Sequence, residues 1–147
     1  MNWSAILKKD YYRNKVHDVL ERKIVQLGFE DVDYINNKFD FATYYGEMNL
    51  AKFNLEYLPD NNVYYMEVKS PKIIEGGYFE NIDDVLKFLN YFSEEVAEVK
   101  RKSKEVEDKE KRETYVRDYM DETILFIEDY SNDSPPKGDV LSSRMFR

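Results

Sequence analysis

The chain has 147 residues, enough for one ordinary domain. Hydrophobic residues make up 42% and aromatic residues 16%, an aromatic load that excludes wholesale disorder. There are 30 acidic and 22 basic side chains, no Cys and a single His, His17. That composition excludes disulfides, thiolate metal sites and Cys nucleophiles, and leaves His-based catalysis one residue to work with.

The net charge of −8 is unevenly spread: residues 1–27 carry +3 and the remaining 120 residues carry −11. An acidic body repels a phosphate backbone, so a nucleic-acid partner is disfavoured. No apolar run reaches the roughly 18 to 20 residues of a membrane span. The opening MNWSAILKKDYY has no apolar core ahead of a small-residue cleavage site, so no secretory signal is expected. A cytoplasmic protein or a virion component is the expected setting.

Residues 4–27 predict an amphipathic helix. Tyr12, Val16, Val19, Leu20, Ile24 and Leu27 fall on one face, Ser4 is the N-cap and Gly28 the C-terminal stop, with Trp3 packing just outside the cap. His17 lies off the centre of that stripe as a half-exposed helix residue. Residues 29–36 fit a short edge strand or an irregular link.

The period then changes from 3.6 to 2. Residues 38–45 predict a strand that turns through a three-residue loop, Gly46-Glu47-Met48, setting Phe41 opposite Phe53 and Phe39 opposite Leu55. A two-residue loop would set Asp40 against Phe53. In residues 50–58, Ala51, Phe53, Leu55 and Tyr57 alternate with polar neighbours, and Pro59-Asp60-Asn61-Asn62 is turn chemistry before the β-rich run 63–70. A four-residue loop pairs positions that sum to 121. Tyr57 then faces Tyr64, Leu55 faces Met66 and Phe53 faces Val68. The opposite face pairs Glu56 with Tyr65, Asn54 with Glu67 and Lys52 with Lys69.

Beyond Pro71, Gly76-Gly77 is expected to break any regular element. Asn81 caps a long helix in which Val85, Leu89, Phe92, Val96, Val99, Ser103 and Val106 form a heptad seam. Residues 107–113 contain no apolar side chain and read as a solvated bend or a free-standing stretch of helix. Helical spacing resumes over 114–130, although 123–127 (TILFI) also fits a strand. Residues 131–147, rich in Ser, Pro, Gly and Asp, read as a flexible tail. The expected fold is therefore one α+β domain over 1–130: an N-terminal helix, a three-stranded antiparallel meander, and one or two long helices, with a late strand at 123–127 as the alternative.

Glu67-Val68-Lys69 in the apolar strand 63–70 resembles the (D/E)-x-K half-motif of the PD-(D/E)xK nuclease superfamily, and the element order resembles that family's core. The resemblance implies a Mg²⁺ site held by Glu67 with Glu56 or Asp40, and Lys69 orienting the attacking water. Outside that resemblance no cofactor is expected. The missing catalytic residue types, the acidic surface and the excess of Tyr point instead to a non-enzymatic protein-interaction protein. Its partner would be another protein, or a second copy engaged through the 85–106 seam and the C-terminal tail. The opening N-W-S-x-I-L-K is similar in style to short viral or phage reading frames, where such a protein would be an assembly component or an inhibitor of a host nucleic-acid enzyme.

Overall fold

The computed structural model describes residues 17–134. Helix α1 occupies residues 17–26 of that range, and the expected Ser4 cap and Trp3, Tyr12 and Val16 contacts lie outside it. Leu20 and Ile24 of α1 are buried, whereas Val19, placed on the apolar face by its spacing, is 42% exposed. The helix stops at Gly28, whose φ of +94° lies in the left-handed region that favours glycine.

Five strands follow: β1 (Glu30–Ile35), β2 (Lys38–Tyr45), β3 (Met48–Leu58), β4 (Val63–Lys69) and β5 (Ile74–Phe79). They form one antiparallel sheet in the order β1-β2-β3-β4-β5, two strands more than the expected three-stranded meander. Asn36 and Asn37, both with positive φ, make the two-residue turn from β1 to β2. The β3–β4 register sums to 121 at every pair, as the alternation requires. Phe41 faces Phe53 and Phe39 faces Leu55, also as expected. The β2–β3 loop, however, is the shorter one. Tyr45 pairs with Met48 across Gly46-Glu47, and a register shift next to Thr43 restores the apolar pairing further along. Leu50 and Ala51, consecutive at that irregularity, are both buried.

Gly76-Gly77 does not interrupt β5. Gly76 pairs with Glu67 and Gly77 with Met66. A Cβ on Gly77 would stand 2.0 Å from Ser131 Oγ, so this glycine leaves the space in which the chain returns to the sheet. There Asn132 exchanges both backbone hydrogen bonds with Tyr78 at 2.8 Å, which anchors the first residues of the expected tail. The remainder of that tail, 135–147, lies outside the described residues.

Helix α2 (Ile82–Ser103) starts at the Asn81 cap, whose side chain accepts the Asp84 amide at 3.0 Å. Helix α3 (Lys109–Leu125) starts at an Asp108 cap and continues as a 3₁₀ turn, Phe126–Asp129. The solvated stretch 107–113 is thus a cap and the opening turns of α3. Residues 123–127 are helical, not a strand: Thr123, Ile124 and Ile127 are buried at helical spacing.

All of the helices contribute to one core on one face of the sheet. Phe92 of α2 packs edge-on against Phe53 at 5.0 Å, Phe53 stacks on Phe41 at 4.9 Å, and Phe29 closes the group. The 85–106 seam is used here. Val85, Leu89, Phe92, Val96, Val99 and Ser103 are buried inside the chain, and Val106 lies beyond the helix end. The surface expected to self-associate is therefore filled by the protein's own sheet and α3. Ser103, polar in an apolar seam, is satisfied by Tyr45 Oη and the Lys100 carbonyl, each at 2.9 Å.

Candidate functional site

Because the helices cover one face of the sheet, strand alternation turns every second residue outward. Three rows cross that outer face. The first contains Ile35, Lys38, Glu56, Tyr65 and Tyr78; the second Asp33, Asp40, Asn54, Glu67 and Gly76; the third Glu30, Ala42, Lys52, Lys69 and Ile74. Ile35 and Ile74 are 59% and 56% exposed. The rings of Tyr65 and Tyr78 pack against each other at 4.8 Å and remain half-exposed. Burial, together with the neighbouring Glu67 and Tyr78, raises the Tyr65 phenol above the ordinary tyrosine range.

Asp40, Glu56, Glu67 and Lys69, the residues implied by the nuclease resemblance, all lie on this face. Asp40 accepts a hydrogen bond from Asn54 Nδ2 at 2.7 Å and is two strands from Glu67, about 9 to 10 Å by sheet geometry. Glu56 is diagonal to Glu67 but turns toward Lys38, with Nζ to Oε2 at 3.8 Å. Lys69 stands opposite Lys52 on one side and Ile74 on the other. Among the described residues no group of three or more His, Asp or Glu side chains is placed to hold a metal ion. Asp40 lies opposite Asp33, Glu56 turns to Lys38, and Glu67 lies between Asn54 and Gly76, so the carboxylates are spread over an open face and the donor set does not fit a shared divalent cation.

What the rows bring together is of another kind. Asp33 stands directly opposite Asp40, and Lys52 directly opposite Lys69. The Lys52–Lys69 pair follows from the β3–β4 alternation. Asp33, Ile35 and Ile74 did not emerge from the sequence as members of a surface, and Tyr78 only as one of many tyrosines suited to a protein partner. Their strands flank the meander, and β5 was hidden by its two glycines; the signal for β1 was the Asn36-Asn37 turn.

Elsewhere, Tyr119 of α3 donates to Glu95 of α2, a contact that with partial burial raises the phenol well above its usual range. Ser70 Oγ donates to Asp121 at 2.6 Å while accepting the Lys72 and Ile73 amides, tying the β4–β5 connection to α3. Both are tethers between elements. No helix among the described residues is long and apolar enough to cross a membrane. No family model matches the chain, and comparison with curated proteins and with solved structures found no match.

Proposed function

We propose that this chain is a non-enzymatic protein-interaction protein that meets its partner through the outer face of the sheet. The observation that carries this reading is a sheet that, among the described residues, has a helical layer on one side only. Its other side presents the Tyr65–Tyr78 pair, with Ile35 exposed at the far end of the same row and Ile74 exposed two rows away on β5. Tyrosine supplies contact area and a polar tip at little entropic cost, which is why it concentrates at binding hot spots. The carboxylates of Asp33, Asp40, Glu56 and Glu67 on the same face favour a protein over a nucleic acid. Within that class, the acidic balance and the style of the opening residues support a viral or phage setting. There the chain would act as an assembly component, or as an inhibitor presenting negative surface to a host nucleic-acid enzyme, in the cytoplasm or the virion.

Affinity capture from the protein's native source, comparing wild type with Tyr65→Ser/Tyr78→Ser, tests the reading. A protein retained by wild type and lost by a variant of unchanged melting temperature supports it. Equal retention by both overturns it. A metal-dependent PD-(D/E)xK-like nuclease is the second reading: Glu56, Glu67 and Lys69 share one face of two adjacent strands, but the described residues form no shared cation site.

A further inference from the structure

The outer face carries two pairs of like charges, of opposite sign, and neither is neutralised within the described residues. Directly opposed like charges destabilise an antiparallel pair. Asp33 and Asp40 are met only by neutral donors, the Tyr34 amide and the Asn54 side chain. Lys52 and Lys69 have no ion-pair partner among the described residues; Glu67, the nearest acid on the face, bridges neither. Elsewhere acids and bases are joined, within an element as in Glu98 with Arg101 and Lys102, or between elements as in Lys72 with Asp118 of α3. The like-charge pairs are thus a local feature of this face.

We propose that the outer face binds a second copy of this chain, the Lys52–Lys69 pair of each copy lying over the Asp33–Asp40 pair of the other. The inference rests on reading this face as a protein-binding surface and names the partner. The two pairs are separated by two strand spacings, about 9 to 10 Å across the sheet, and by one two-residue step, about 7 Å along the strands. A partner surface of a single sign would satisfy one pair and repel the other. A second copy carries both signs at the matching separation. A two-fold axis lying in the interface and passing midway between the pairs exchanges them, so both contacts form at once. Four strand spacings by two steps between rows make the face about 19 by 14 Å, roughly 270 Å² in plan, below the roughly 800 Å² per partner of a stable interface. The association is therefore weak and salt-sensitive.

Sedimentation equilibrium of the full chain up to about 1 mM, where a contact of millimolar Kd still registers, provides the test. Four samples are compared: wild type, Lys52→Asp/Lys69→Asp, Asp33→Lys/Asp40→Lys, and an equimolar mixture of the two variants. Each variant replaces one like-charge pair by another, so no new kind of strain enters the fold, and circular dichroism checks that it is folded. The variants carry net charges of −12 and −4, four units either side of −8, so overall attraction does not drive their mixing. For a Kd near 1 mM, wild type is expected to rise to about one and a half monomer masses at low salt and return to the monomer at high salt. Each variant alone should associate at least tenfold more weakly, and the mixture should recover the wild-type mass. A monomeric wild type, variants that associate like wild type, or a mixture of folded variants that stays monomeric would each overturn the inference. Those outcomes leave the binding reading standing, because it is tested separately, by whether the Tyr65/Tyr78 variant keeps its captured partner.

Discussion

Gly76 lies beneath the side chain of Tyr65: a Cβ at position 76 would stand 2.5 Å from the Tyr65 phenol oxygen and 3.3 Å from the Met66 carbonyl. The ring on β4 thereby covers a glycine on β5 and reaches the phenol of Tyr78. Gly77, one residue on and facing inward, makes the corresponding space for Ser131.

Gly77→Ala should therefore cost about 1 to 3 kcal/mol, the range for overpacking, because the added methyl meets the Ser131 Oγ and Cβ that anchor the returning chain. Gly76→Ala should cost less, since the atom it meets first is the far end of a side chain that can swing away. Urea denaturation of both variants checks the order. A neutral Gly77→Ala with a costly Gly76→Ala would contradict the packing described.

Phe92 joins the helical layer to the sheet, touching Phe53 edge-on and packing near Phe29 and Phe88. Phe92→Ala should cost about 3 to 5 kcal/mol. A residue of the supposed outer seam would cost far less, so the same denaturation experiment decides whether α2 is turned inward.

Tyr119 and Tyr91, on the facing helices, and Tyr64 and Tyr65 in the sheet all have phenols raised above the usual tyrosine value. The causes are the hydrogen bond to Glu95 for Tyr119 and burial for the other three. A pKa higher in the folded than in the unfolded chain gives stability that is complete below about pH 10 and is lost as pH rises beyond it. The melting temperature should fall steeply above pH 10, and Tyr119→Phe should flatten that fall. Ultraviolet titration should show some phenols ionising only as the chain unfolds. Ionisation of every tyrosine near pH 10 with the fold intact would contradict these environments.

Much of the β2–β4 meander was legible because Phe39, Phe41, Phe53, Leu55, Met66 and Val68 alternate strictly, and a one-residue slip would turn them to solvent. The same rule misjudged the β2–β3 loop, since the irregularity at Leu50 and Ala51 absorbs the residue that a shorter turn leaves over. Strand β5 was illegible because Glu75-Gly76-Gly77 shows neither alternation nor β-branching; its glycines answer to Tyr65 and Ser131, distant in sequence. Residues 123–127 are too short an apolar run to distinguish helix from strand by period. Of the candidate site, the β3–β4 pairs were readable, whereas the Asp33–Asp40 pair depends on an irregularity in β1 where Asp31 has a φ of +55°. The E-x-K pattern itself is weakly diagnostic, recurring at Glu21 and Glu98 on helices and at Glu107 in the link before α3.

Under the interaction reading, Mg²⁺ or Mn²⁺ at millimolar concentration should leave the melting temperature unchanged. Incubation with DNA and either metal should give no cleavage that Glu67→Ala abolishes. Metal-dependent cleavage by wild type, lost in Glu67→Ala and in Lys69→Ala, would establish the nuclease reading in place of the binding one.

Whether this chain meets another protein on its outer sheet face is decided by ¹H–¹⁵N spectra. Spectra recorded as the captured partner or further copies of the chain are added should show shifts concentrated on Asp33, Asp40, Lys52, Tyr65, Lys69 and Tyr78. Shifts confined to the surfaces of α1 and α3, with the sheet face silent, would contradict such a contact.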